Sequence, residues 1–335
     1  MSLKEEFIKV GYTENDYNEI RNSHSLINMK DETISRHLKD IFTFFLKNGY
    51  TKDEVIKMTK SMPSIYGYSK ENMKQKIEDI MALGYSKEEV VKMTKTLPAI
   101  YGYSKENMRR KIEDIMLLGY SKEEVIKMTK TLPAIYGYSK ENMKQKIEDI
   151  MLLGYSKEEV IKMTKTLPAI YSYSIENMRR KIEDMMFLGY SKEEVIKMTK
   201  SMPSIYGLSK ENMKQKIEDM MLLGYSKEEV VKMTKSMPSI YSYSKENMKQ
   251  KIDFYDSIGM HVLAVIDAKN LMQSVNLSYA RYSFYMDKGF NIDIDNYKKL
   301  FIGQKQFEKS YGITKEELLK KYDYNKFKEE KEKSL

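Results

Sequence analysis

Met108, Ile112, Ile115 and Met116 stand at i, i+4, i+7 and i+8, the spacing of one apolar face on a helix. The polar positions before them punctuate the chain. Ser86-Lys87-Glu88-Glu89 reads as a capping box: Ser86 caps the helix start and Glu89 reaches back to it. Tyr85 before the cap and Val90 at the fourth helical position form a candidate hydrophobic staple. A first helix is therefore predicted from Lys87 to about Lys95. It must stop near Leu97, because a residue before proline is pushed out of the α region. Pro98 can open a short helical turn, where its missing N–H is not needed. Ser104 then caps a second helix, Tyr103 can staple onto Met108, and Gly119 closes that helix in a left-handed cap.

This unit repeats. Glycines at Gly49, Gly84, Gly119, Gly154, Gly189 and Gly224 are 35 residues apart, and Gly259 falls one period further on. The six prolines, Pro63, Pro98, Pro133, Pro168, Pro203 and Pro238, keep the same register. A fixed period of this size signals a solenoid, in which each unit buries its apolar face against its neighbours. The predicted fold is an all-α superhelical solenoid of helix–proline-turn–helix repeats. Residues 49–258 form six near-identical repeats. Residues 1–48 form a degenerate N-terminal cap, with Ser25 where a proline would stand. Residues 259–323 form degenerate C-terminal repeats, and residues 324–335 a frayed, charged tail.

Composition narrows the function classes. The 335 residues include no cysteine, which excludes disulfides, thiolate metal sites and cysteine nucleophiles. The start, MSLKEEFIKV, does not read as a signal peptide. No stretch approaches the roughly 18–20 apolar residues of a membrane span. No membrane role is expected, and an intracellular location is, at the nucleoid or in the cytoplasm if the source is bacterial. The 58 basic residues exceed the 49 acidic ones by 9, with a pI near 9.1, which permits a polyanionic partner without requiring one.

Pro98, Tyr101, Met108 and Ile115 are spaced Pro–x2–apolar–x6–apolar–x6–apolar. With the LGYSKEEV lead-in, this resembles the repeat of the mitochondrial transcription termination factor (mTERF) family. Where that family favours leucine, this chain carries Tyr, Met and Ile. Ser274–Phe290 also resembles the family's C-terminal units, in which an arginine such as Arg281 is usual. The resemblance implies a left-handed superhelix whose basic groove holds double-stranded nucleic acid.

Stacking identical units lines up identical residues. Lys60, Lys95, Lys130, Lys165, Lys200 and Lys235 thereby become a candidate stripe for the phosphates of a duplex. The same charges also suit a structural reading. Acids sit at helix starts and bases at helix ends, and Glu88–Lys92 and Glu106–Arg110 are candidate i,i+4 pairs. One dipeptide alternates: Lys-Gln at 74–75, 144–145, 214–215 and 249–250, but Arg109-Arg110 and Arg179-Arg180. Arginine and glutamine are base-reading types, and both dipeptides are also good helix formers. Tyr66, Tyr101, Tyr136, Tyr171, Tyr206 and Tyr241 recur in the proline turn. They can stack on bases, or pack under the turn with the hydroxyl at the rim.

His24, His37 and His261 have no metal-ligand spacing, and no phosphate loop or nucleophile elbow is present. No enzymatic activity, metal or cofactor is expected. The expected function is binding double-stranded DNA as a monomer, in transcription or replication. A protein-interaction scaffold and RNA binding are the alternatives.

Overall fold

The computed structural model describes residues 1–333 and is an all-α solenoid of helix–proline-turn–helix repeats. No strand occurs among the described residues. It divides into two compact units, 1–173 and 174–335. The first holds α1 (Leu3–Val10), α2 (Glu14–Arg21), α3 (Asp31–Lys47), α4 (Lys52–Ser61), α5 (Lys70–Met81), α6 (Lys87–Thr96), α7 (Lys105–Met116), α8 (Lys122–Thr131), α9 (Lys140–Met151) and α10 (Lys157–Thr166). The second holds α11 (Ile175–Leu188), α12 (Lys192–Ser201), α13 (Lys210–Leu222), α14 (Lys227–Ser236), α15 (Lys245–Ser257), α16 (Leu263–Ile266), α17 (Val275–Asp287), α18 (Gln304–Tyr311), α19 (Lys315–Lys321) and α20 (Tyr324–Lys333).

The repeat at Gly84 shows how the sequence builds them. Ser86 and Glu89 exchange both hydrogen bonds of the capping box. Leu97, ahead of the proline, leaves the helix with φ −136° and ψ 85°. Pro98–Gly102 then forms one 3-10 turn with proline at its start. Ser104 caps α7 by accepting from the Asn107 N–H. Gly119 takes φ +116°, where a side chain would be strained. Val90, Met93, Ile100, Tyr101, Met108, Ile112 and Ile115 are each at most 3% exposed. Burial of one such side chain contributes about 1.5–3 kcal/mol, and in each unit these residues join into a continuous core.

Two expectations of the pattern change. Met116 is 39% exposed and Leu117 70%, because α7 ends at Met116 and the chain turns toward Gly119. The apolar face is therefore three residues, and the fourth looks outward. Tyr85 reaches into the following repeat: its hydroxyl is 2.6 Å from Thr129 Oγ1 and 2.5 Å from the Tyr136 hydroxyl.

The ends hold more helix than the repeat pattern predicts. In the first unit α2 and α3 flank a turn that lacks proline, with α1 ahead of them. In the second, the segment expected as a charged tail forms α20 from Tyr324 to Lys333. Tyr324 is buried there, its ring 5.5 Å from that of Tyr279 and 6.4 Å from that of Phe254. Ser334 and Leu335, also assigned to the tail, lie outside the described residues.

Candidate nucleic-acid interface

The first helix of each repeat carries two lysines three residues apart, and stacking gives them different fates. Lys95 Nζ lies 2.8 Å from Glu54 of the preceding repeat and also donates to the Gly49 carbonyl. Lys130 meets Glu89 at 2.6 Å, Lys165 meets Glu124 at 2.6 Å, and Lys235 meets Glu194 at 2.8 Å. Lys60 bridges to Asp16 and Glu19 at 2.5 and 3.1 Å, and Lys200 is partnered as well. Lys95 and Lys130 also sit over the rings of Tyr50 and Tyr85. Each lysine of the predicted stripe is thus engaged, and five of the six bridge to a carboxylate of the preceding repeat or cap. The lysine hydrogen bond is the largest cause holding the Glu54, Glu89, Glu124 and Glu194 carboxyls below their ordinary value. Lys60 pulls Asp16 down to about 2 in the same way.

The middle of the three lysines on each first helix points outward. Lys57, Lys92, Lys127 and Lys162 in the first unit, and Lys197 and Lys232 in the second, are exposed. The candidate Glu88–Lys92 pair does not form. Glu88 instead accepts from the Ser86 hydroxyl at 2.9 Å, within its own helix start. Between α4 and the Pro98 turn, Lys57, Lys95, Ser61 and Thr96 line a groove of about 610 Å³. Glu54 lines it too and bridges to Lys95, and the Ser61 and Thr96 hydroxyls donate to the Met58 and Lys92 carbonyls, so Lys57 is the cation it leaves for a phosphate.

A further lysine of each repeat, on the second helix, is structural. Lys76, Lys111, Lys146, Lys181 and Lys216 each donate Nζ to the carbonyl that follows the next proline turn; the Lys146 to Tyr173 bond is 2.6 Å. Lys251 donates instead to the Leu271 carbonyl inside the Ala268–Met272 turn, which has no proline. Burial lowers the Lys181 and Lys251 pKa values. At the N-terminal end His37 reaches into the Pro63 turn itself, with Nδ1 2.7 Å from the Tyr66 carbonyl. Arg281 ends the series. Nη1 donates to the Leu300 and Ile302 carbonyls at 2.8 and 2.7 Å, and Nη2 to Gln304 at 3.0 Å. Arg281 is 1% exposed and lies over the Phe307 ring. It therefore binds the fold together and is out of reach of a phosphate, contrary to its place among the candidate contacts.

The alternating dipeptide does diverge in space. Gln75, Gln145 and Gln215 each donate to the aspartate one turn on, at 3.0, 2.9 and 3.2 Å. Arg110 and Arg180 instead turn back to Asn107 and Asn177, so the candidate Glu106–Arg110 pair does not form. Arg110 lines a groove of about 340 Å³ with Tyr103, Asn107 and Lys140. Arg109 and Arg179 side chains are 67% and 54% exposed, beside Glu113 and Glu176 respectively.

The proline-turn tyrosines are not available for base stacking. Tyr66, Tyr101, Tyr136, Tyr171, Tyr206 and Tyr241 are at most 9% exposed. Their hydroxyls are buried rather than placed at the rim. Tyr101 bonds to Tyr50, Tyr136 to Tyr85, Tyr171 to Tyr120 and Tyr241 to Tyr190, and a threonine completes each trio. Burial is the largest cause raising these phenol pKa values, so the trios stay neutral. His261 stacks on Tyr225 and bonds to Asp256. No cluster of metal-ligating side chains occurs among the described residues, and no helix is long and apolar enough to cross a membrane.

The family model described as mTERF matches residues 7–153, 86–187 and 151–268. No curated protein matches the chain.

Proposed function

The chain belongs to the mTERF family of nucleic-acid-binding helical-repeat proteins, and from that premise we propose that it binds double-stranded DNA as a monomer. The outward row, Lys57, Lys92, Lys127 and Lys162 in one unit with Lys197 and Lys232 in the other, meets the phosphates. The observation that carries this reading is the exposure of that row beside the groove at Lys57 and Thr96. Within each unit the row repeats one cation at a constant sequence interval, and a duplex offers phosphates at a constant interval as well. The bridged lysines, Lys95, Lys130 and Lys165 in the first unit and Lys235 in the second, tie each of these repeats to the one before it. Arg109-Arg110 and Arg179-Arg180 are the positions at which base preference would enter: Arg110 and Arg180 bond to Asn107 and Asn177 where the glutamines bond to an aspartate, while Arg109 and Arg179 keep exposed pairs with Glu113 and Glu176. No step in this reading requires catalysis, and it places the protein in a compartment that holds DNA, with a role in transcription or replication.

Gel-shift titrations with duplex DNA, single-stranded DNA and duplex RNA at several salt concentrations test it. Preferential binding of duplex DNA with a steep salt dependence is expected. Preference for RNA would transfer the same lysine row to that polymer.

A second reading, a protein scaffold, has its own observation. Leu117 and Leu152 are 70% and 83% exposed in the first unit, and Phe187 and Leu222 75% and 74% in the second. Such apolar ridges suit contact with protein. Absence of any nucleic-acid binding would favour it.

A further inference from the structure

The grooves between consecutive second helices change character at the C-terminal end. Between α7 and α9 the groove has an apolar floor containing Leu117, Ile147 and Met151, rimmed by Lys140, Lys144 and Lys157. Between α15 and α17 the corresponding positions hold Ser257, Tyr282 and Met286, and the lysine rim is gone. Phe254, Tyr279 and Tyr322 join them around a pocket of about 460 Å³, within the size range of small-ligand sites.

Aromatic side chains form much of its wall. Phe254 is 2% exposed. The Tyr279 and Tyr282 rings stand at 79° and 80° to the Phe254 ring, with centroids 6.2 and 6.1 Å away. Both tyrosines keep part of their surface open. Asp287 lines the same pocket, its Oδ2 accepting the Tyr322 hydroxyl at 2.7 Å. The neighbouring carboxylates are engaged elsewhere: Asp253 with Lys249, Asp256 with His261. Aromatic faces and one oriented carboxylate attract a cation. The chain already shows the preference, since Lys321 Nζ sits 4.8 Å over the Tyr322 ring and 3.5 Å from Asp287. That side chain is 60% exposed, and its ammonium stays hydrated. A cation carrying methyl groups sheds water at less cost and matches the apolar surface of Ile258 and Met286.

We propose that this pocket binds an alkylated ammonium group, supplied by a free quaternary amine or by a methylated lysine side chain. The site is independent of the lysine rows and stands whether or not the chain binds nucleic acid.

Choline titrated into the full chain, followed by NMR of the tyrosine rings, tests it against 3,3-dimethylbutan-1-ol, a neutral molecule of the same shape. Choline should bind with a dissociation constant on the order of 1 mM, and the neutral isostere at least about tenfold more weakly. Asp287→Asn and Tyr282→Leu should each weaken choline about tenfold with unchanged circular dichroism. A trimethyllysine peptide compared with choline identifies the source, the tighter ligand naming it. Equal binding of choline and its isostere would reduce the pocket to an apolar cleft and overturn the proposal. So would no response of the tyrosine rings to choline, or a folded Asp287→Asn that binds choline as the wild type does.

Discussion

The phenol of Tyr120 lies 2.6 Å from the Thr164 hydroxyl of the next repeat, and that hydroxyl also donates to the Val160 carbonyl. With Tyr171 it forms a closed set of buried partners. Tyr120→Phe leaves two buried hydroxyls short of a partner. We expect a loss of roughly 1–3 kcal/mol in urea denaturation. The double variant with Thr164→Val should lose less than the sum, because the partners leave together. Strict additivity would show that the trio contributes nothing as a unit.

Proline is tested by Pro133→Ala. Pro133 begins its 3-10 turn, after Leu132 at φ −131° and ψ 81°. Without the ring, α8 can run on and tilt α9. Units contact only their neighbours, so damage should stay local. Hydrogen exchange should quicken in α8 and α9 and their immediate neighbours. Equal loss of protection at every repeat would contradict nearest-neighbour stacking.

How far the chain could be read in advance depends on the distance between partners. The capping box at Ser86 and Glu89, the break at Leu97-Pro98 and the left-handed Gly119 involve residues within a few positions of one another, and all three form. Lys130 finds Glu89 across 41 residues, and Tyr85 finds Thr129 across 44. Those offsets follow from the stacking geometry, which periodicity announces without measuring. The charge reading therefore chose Lys95 over Lys92, although the structure bridges the first and exposes the second. The sequence points to Arg281 but not to its role, for a related reason: its carbonyl partners at Leu300 and Ile302 lie in an irregular end that obeys no repeat.

Acid should loosen the repeats. The glutamate carboxyls paired to Lys95, Lys130, Lys165 and Lys235 are held below their ordinary value of 4.5. A depressed folded-state pKa contributes stability above the unfolded value and loses it as pH falls through the folded one. The melting temperature should fall as pH drops below about 4.5. Glu89→Gln with Glu124→Gln should flatten that fall. An unchanged pH profile would mean that the bridges are electrostatically silent, as many exposed pairs are.

Arg281→Met removes a charged donor from the Leu300 and Ile302 carbonyls and from Gln304. A cost of roughly 3 kcal/mol or more is expected, since hydrogen bonds to charged groups contribute about 1.5–3 each. The loss should appear in the second unit by hydrogen exchange. DNA affinity of the folded fraction should not change. A selective loss of binding with intact stability would return Arg281 to the interface.

The lysine rows separate position from pairing. Each phosphate contact contributes about −0.9 to the log–log salt slope of duplex binding. Lys92→Gln with Lys127→Gln should flatten the slope by roughly 2 and weaken all sequences alike, because phosphate contacts position without specifying. Lys95→Gln with Lys130→Gln should change the slope less, since glutamates already neutralise those charges, and should lower the melting temperature more. Replacing Arg109-Arg110 and Arg179-Arg180 by Lys-Gln should shift preference among duplex sequences rather than affinity alone. Circular dichroism must first show each variant folded. If the Lys95 pair flattens the slope and the Lys92 pair does not, the bridged row is the interface and its glutamates exchange for phosphate. Folded wild-type protein that ignores duplex DNA at about 50 mM salt, where phosphate contacts are strong, rules out the DNA reading.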